Sequence, residues 1–213
     1  MMTRAECVHG TAGYPSRSNR RGYVRIGRGF DDLAMVYALR AAVYLAEQDC
    51  PYREEFDGND ACSTHFIGFV GDEPAGVLRA RYFADFVKLE RLAVLKRFRR
   101  STIAFDLVRE GISFARRKGF QRIYGHSREG LEPFWARFGA RPFDDGRTIE
   151  FSDCRYTEMV IELTPDPDAI TLNSGGQVII RPEGDWDRPG VLEQSETRGS
   201  TYRAGNAVKT RAP

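Results

Sequence analysis

Apolar residues recur along this chain with two periods, and the change from one to the other marks most of its elements. From 101 to 118, Ile103, Ala104, Leu107, Val108, Gly111 and Ala115 lie three or four positions apart, which predicts an amphipathic helix with one buried stripe. Arg116, Arg117 and Lys118 suit the C-terminal dipole of that helix, and Gly119 is a natural stop. Phe30 to about Glu47 repeats the pattern with Leu33, Val36, Tyr37, Ala41 and Tyr44, and Asp31 and Asp32 favour its start. Extended runs at 23–27, 65–70, 75–82 and 86–95 predict four strands, the second and third joined as a hairpin by GDEP. QRIYGHS at 121–127 predicts another strand. Leu131, Phe134, Trp135 and Phe138 give a short helix stopped by Gly139, and 147–151 and 156–163 give two late strands.

Residues 1–22 carry Arg4, Arg17, Arg20 and Arg21 against one Glu6 and have no hydrophobic period, so they read as a flexible basic arm. YLAEQDCPYREEFDGNDACSTH, residues 44–65, reads as a long irregular link. After Leu163 the chain is turn-rich, and QVIIRPEGDWD holds one strand-like apolar piece. Residues 164–213 therefore read as a partly disordered extension that packs back near Val178–Ile180 and Trp186. The domain proper spans 23–163, and its order of strands and helices is a mixed α/β layout.

Composition narrows the function classes. A length of 213 residues suits one domain, and 41% hydrophobic and 29% charged residues are ordinary for a globular chain. The net charge of +2 is too small to argue for a nucleic-acid or membrane partner. No apolar run approaches the ~20 residues that span a bilayer, and the N-terminus has no signal-like apolar stretch. Cys7, Cys50, Cys62 and Cys154 are scattered, with no CxxC and no clustering with the three histidines. They read as free thiols in a cytoplasmic protein without a metal.

The densest chemistry lies in RLAVLKRFRRSTIAFD, residues 91–106, where an apolar strand meets Lys96, Arg97, Arg99 and Arg100 just before the long helix. A helix start offers unpaired N–H groups and a positive dipole end, which together suit a phosphate. Small side chains at Ser101, Thr102 and Ala104 would admit a ligand to the backbone, and the cations would add charge-assisted contacts. The alternative is a solvated basic corner with Ser101 or Thr102 as an ordinary cap.

The wider pattern resembles the GNAT superfamily of acyl-CoA N-acyltransferases. LERLAVL resembles the strand that leads into the family's Gln/Arg-x-x-Gly-x-Gly/Ala junction, Arg99 and Ala104 match that motif's ends, and FWARFGARPF resembles its late aromatic signature. Thr102 stands in place of the middle glycine, and Arg100 follows Arg99. The likeness covers roughly 23–163. It implies a mostly antiparallel sheet of six to seven strands with helices on both faces. It also implies acetyl-CoA or another acyl-CoA as co-substrate, a small-molecule amine as acceptor, and the homodimers common in the family. The coenzyme A pyrophosphate would rest on Arg99, Arg100, Ser101, Thr102, Ile103 and Ala104. The pantetheine arm would run beside Leu92, Ala93 and Val94 like an added strand, between two strands that splay apart.

Transfer to an amine needs a base, an oxyanion donor and, helpfully, an acid for the leaving thiolate. Glu90, expected to be partly buried with a raised pKa, and His126, near the splay, are the two candidate bases. The alternative for Glu90 is a structural pair with Lys88, Arg79 or Arg81. The family often places a tyrosine acid on the short helix, where this chain has Trp135, which reads as cleft wall. VYLAEQDCPYREEFDGNDACSTHFIGF and FSDCRYTEM resemble the branch nearest acyl-homoserine-lactone and N-acyl amino acid synthases. That resemblance would bring Glu54, Glu55, Asp57 and Asp60 to the acceptor ammonium, and would allow a longer acyl chain or an acyl carrier protein as donor. A catalytically silent coenzyme A-binding module is the reading from another class.

Overall fold

The computed structural model describes residues 22–199. The arginine arm and Cys7 lie outside the described residues, as does the end of the extension. The chain runs β1 (Gly22–Ile26), α1 (Phe30–Arg40, continued by a π-helical turn Ala41–Leu45), α2 (Tyr52–Glu55), β2 (Thr64–Val70), β3 (Glu73–Tyr82) and β4 (Val87–Val94). It continues through α3 (Ile103–Arg117), β5 (Arg122–Arg128), α4 (Glu132–Ala136), β6 (Arg141–Pro142), β7 (Thr148–Phe151) and β8 (Cys154–Glu162). Two short helices, α5 (Gly176–Ile179) and α6 (Val191–Glu196), belong to the extension.

The strands form one eight-stranded sheet in the order β1-β2-β3-β4-β5-β8-β6, with β7 added on β8. Every pairing is antiparallel except β4 with β5. The count exceeds the six to seven strands expected because Arg141–Pro142 also bridges to β8. Helix α3 buries its predicted stripe, including Ile103, Leu107, Val108, Gly111 and Ala115, on one face of the sheet. On the other face Val36, Leu39 and Val43 pack against Ile67, Phe69, Val77 and Ala93. Gly111 permits the close approach of α3, since a Cβ there would lie 2.9 Å from Leu78.

The link between α1 and β2 is not the irregular, solvated loop its composition suggests. It holds α2 and a 3-10 turn at Asp60–Cys62, and its acids turn inward. Arg40 and Arg79 are fully buried beneath it. Arg40 binds Glu55 and Asp60. Arg79 grips Asp57 through Nη1 (2.8 Å) and Nη2 (2.6 Å), reaches Asp60 at 2.9 Å, and reaches Glu90 of β4 at 2.7 Å. Burial opposes ionisation of Asp57, but the bonds from Arg79 outweigh it and hold its carboxyl below the usual range. Burial pushes Glu55 the other way.

The extension docks at the far end of α3. The run Val178–Ile180, expected as a strand, pairs with no strand and is a helical turn. Val178 meets the core, while Ile179 and Ile180 are largely exposed. Trp186 is buried and stacks on Phe114 at 5.3 Å. Arg28–Asp185 (2.6 Å) and Lys118–Glu183 (2.5 Å) flank it. Such surface pairs contribute little, so the indole is the main anchor.

Trp186→Ala is expected to lower unfolding free energy by about 3–5 kcal/mol in urea titrations; an unchanged midpoint would show that the extension is no part of the core. Arg79→Met is expected to cost about 3–5 kcal/mol, because three carboxylates lose a buried partner. Asp57 and Glu90 have depressed pKa values, and Arg25 holds Asp32 at about 2. Their contribution is present above the ordinary carboxylate range and is lost as pH falls through the folded-state values. Wild-type stability should therefore drop below pH ~4, with a flatter acid limb in Arg79→Met.

Candidate active site

The site forms where the sheet forks. Strands β4 and β5 pair only at Val87↔Ile123 and Lys88↔Tyr124 and then diverge, as the sequence resemblance implied. Gly125 sits at the fork, where a Cβ would come 3.1 Å from the Leu89 carbonyl. Beyond it a cleft of about 320 Å³ opens through the sheet. Leu131, Phe134 and Trp135 line it from the side of α3 and α4. Tyr44, Asp57, Phe151 and Tyr156 line it from the side of α1 and the β7–β8 hairpin.

A bulge in β4 shapes this cleft. Val77 faces Ala93, yet Arg79 faces Glu90, so β4 carries one extra residue. Arg91 takes up the slip with φ of 55°, in the left-handed region that side chains seldom adopt. Its guanidinium is secured by Glu55 (3.1 Å), by the Glu54 carbonyl (2.7 Å) and by the face of Phe151 (5.5 Å). The extra residue also overturns an expectation. Strict alternation would put Glu90, Leu92 and Val94 on one face, but Leu92 and Val94 pack with the α3-side core and Ala93 with the α1-side core. Tyr44 donates its hydroxyl to the Leu92 carbonyl at 3.0 Å. With β5 gone, one edge of β4 beyond Lys88 has no strand partner.

Of the two candidate bases, Glu90 is tied down. Arg79 Nε donates to it at 3.0 Å, Lys88 Nζ lies 2.9 Å away and Arg81 lies 3.8 Å away. Burial opposes its ionisation, but Lys88 and Arg79 prevail, so its carboxyl lies below its ordinary range rather than above it, as the sequence reading expected. His126 lies on β5 just past the fork and lines the cleft. Burial, helped by Lys88, lowers its pKa and keeps the imidazole neutral at pH 7. Its Nε2 is 3.1 Å from the hydroxyl of Tyr124, a phenol that burial and Glu158 push up to about 12.

The acidic residues expected to meet the acceptor are mostly spent. Glu55 and Asp60 are buried on arginines. Asp57 reaches the cleft but is held by Arg79 and, at 3.4 Å, by Arg91. Glu54 accepts a bond from Ser152 Oγ at 2.5 Å, which docks the β7–β8 turn on the link. Sequence reasoning missed Tyr44, Arg91, Arg128 and Tyr156. The β7–β8 hairpin, which a paired SD turn between two short strands signals, brings Tyr156 opposite Arg128 on β5.

At the junction after β4, the cations divide. Arg97 pairs with Glu73 (3.3 Å) and Arg99 with Glu47 (2.6 Å), while Lys96 and Arg100 have no carboxylate within 4 Å among the described residues. Arg99 Nε also donates to the Val94 carbonyl at 3.0 Å, closing the turn. Ser101 Oγ caps the Ile103 amide at 3.3 Å, and Thr102 bonds Asp106 at 2.7 Å. The amides of Arg100, Thr102, Ala104 and Phe105 find no acceptor among the described residues. These amides, the small side chains and the two spare cations fit a pyrophosphate.

Comparison with known proteins agrees with this geometry. The Acetyltransferase (GNAT) family profile matches residues 33–140. The uncharacterized N-acetyltransferase YjcF of Bacillus subtilis is 27% identical over 125 residues, 59% of this chain and 89% of that protein. Two solved structures share the fold. Escherichia coli ElaA has a TM-score of 0.59 at 22% identity, covering 67% of this chain and all of that one. FeeM, an N-acyl amino acid synthase from uncultured soil microbes, has a TM-score of 0.57 at 11% identity, covering 68% of this chain and 93% of its own. With its forked parallel pair, open helix start and bulged fourth strand, this chain belongs to the GNAT acetyltransferase family.

Proposed function

We propose that the protein transfers an acetyl or other acyl group from acyl-CoA to the amine of a small molecule by direct attack within the cleft. The observation that carries this reading is the fork itself. One cleft joins the open edge of β4, which an extended pantetheine can pair with as an added strand, to the imidazole of His126. The amides of Arg100, Thr102, Ala104 and Phe105 and the side chains of Lys96 and Arg100 would hold the pyrophosphate.

His126 is assigned as the base. It enters the reaction neutral and takes the proton that the attacking amine must lose. Glu90, saturated by cations, holds Lys88 and Arg79 in place instead. The β4 bulge supplies the region for the oxyanion donor, because its extra residue leaves backbone groups outside the ladder. Trp135 walls the cleft and has no proton of suitable acidity, so the thiolate leaves without help from that position. The apolar lining of Leu131, Phe134, Ile149 and Phe151 favours, as a second reading, a longer acyl chain.

Coenzyme A at ~100 times its dissociation constant should stabilise the fold by about 2.7 kcal/mol in thermal unfolding. Ala104→Glu should remove the shift, by bulk and by charge against the pyrophosphate; a retained shift would dismiss the junction as the phosphate site. A larger shift with a long-chain acyl-CoA than with acetyl-CoA would select the second reading. His126→Ala should lower kcat/KM by about 10²-fold. In the wild type the rate should fall as pH drops below ~6.5 through the lowered His126 value, and that limb should vanish in the variant.

A further inference from the structure

The charges of the cleft point to a class of acceptor. Arg81, Lys88, Arg91 and Arg128 line it, against only Asp57 and Glu90. Both of these carboxylates are already bound by Arg79, Arg91 and Lys88. A free ammonium therefore finds no unspent acid there, whereas an anion finds an unspent cation. Arg128 has no carboxylate within 4 Å among the described residues, while most arginines around it do. It lies directly across the ladder from Tyr156, and both residues line the cleft and an adjoining cavity of about 260 Å³.

We propose that the acceptor is a free amino acid, its carboxylate held by Arg128 and the Tyr156 hydroxyl while its amino nitrogen faces His126. This rests on the acyl-transfer reading above. His126 and Arg128 are two residues apart on one face of β5, about 7 Å along the strand. One substrate can therefore touch both only if it carries an amine and an anion a few bonds apart. One guanidinium and one hydroxyl suit the single charge of a carboxylate rather than a phosphate dianion. Glu47 and Asp49 rim the adjoining cavity, which would receive the side chain and disfavours an acidic one there. In the reaction the nitrogen forms a bond to the thioester carbonyl carbon, the carbon–sulfur bond breaks, sulfur leaves with the electron pair, and the amine proton passes to His126.

The test is thiol release from acetyl-CoA with glycine, alanine, leucine and tyrosine, each compared with its primary amide and its decarboxylated amine. The free acids should exceed their amides in kcat/KM by about 10–100-fold, the worth of one charge-assisted pair. Arg128→Gln should collapse that ratio towards one, mainly through KM for the acids, and Arg128→Lys should restore part of it. The amides serve as a control for folding, since their rates should change little. Equal rates for acids and amides, or an unchanged ratio in Arg128→Gln, would overturn the amino-acid assignment while leaving acyl transfer standing. No thiol release with any amine, although acetyl-CoA still raises the unfolding temperature, would overturn both together.

Discussion

The guanidinium of Arg79 is the point on which the site's architecture hangs. It is buried in the face of β3, where an uncompensated charge is untenable, so three carboxylates must come to it. Two of them, Asp57 and Asp60, come from the link between α1 and β2, and the third is Glu90 of β4. One side chain thereby folds a long connection onto the sheet, fixes β4 beside it, and removes the acids from the cleft's free charge. Arg40 repeats the arrangement one layer away with Glu55 and Asp60. The carboxyl groups then work as fasteners rather than as proton carriers, which leaves His126, bonded to the Tyr124 hydroxyl and, among the described residues, to no charged group, as the proposed base at the fork.

The bulge at Arg91 depends on the same lattice. A non-glycine residue in the left-handed region costs about 1–3 kcal/mol and persists where its surroundings hold it. Glu55, the Glu54 carbonyl and Phe151 hold this one. By adding one residue, the bulge turns Leu92 and Val94 to the α3 side while Lys88 and Glu90 stay on the α1 side. The strand thus presents an apolar surface beside the helix start and a charged surface beside the proposed acceptor region. The divergence of β5 then exposes its edge between the two.

Much of the fold was legible because its signals are local. The stripe from Ile103 to Ala115, the GDEP hairpin and the stop at Gly119 all act within a few residues. The junction was legible for the same reason, since a helix start and its cations are contiguous in the chain. Four features were not legible. The bulge depends on a register between β3 and β4 that alternation alone misassigns. The lattice pairs residues up to 22 positions apart in sequence, as Arg79 with Asp57, so its acids read as a solvated loop. The Val178–Ile180 run is too short to distinguish a strand from a helical turn until its partner surface is known. Tyr156 and Arg128 went unnoticed because only the β5–β8 pairing makes them neighbours.

The cationic character of the cleft bears on the missing acid. In the proposed transfer Trp135 offers no usable proton at the position where the sequence resemblance implied a tyrosine, so the developing thiolate would be stabilised another way. Arg81, Lys88 and Arg91 would there supply a positive potential that favours negative charge on the oxyanion and on departing sulfur. The same potential would disfavour an ammonium and move the acceptor towards the neutral form that attacks, while burial, helped by Lys88, lowers His126 and leaves the proposed base unprotonated. On the proposed mechanism an excess of cations around one neutral imidazole would therefore serve deprotonation of the nucleophile and departure of the leaving group together, and would make a dedicated acid at position 135 dispensable.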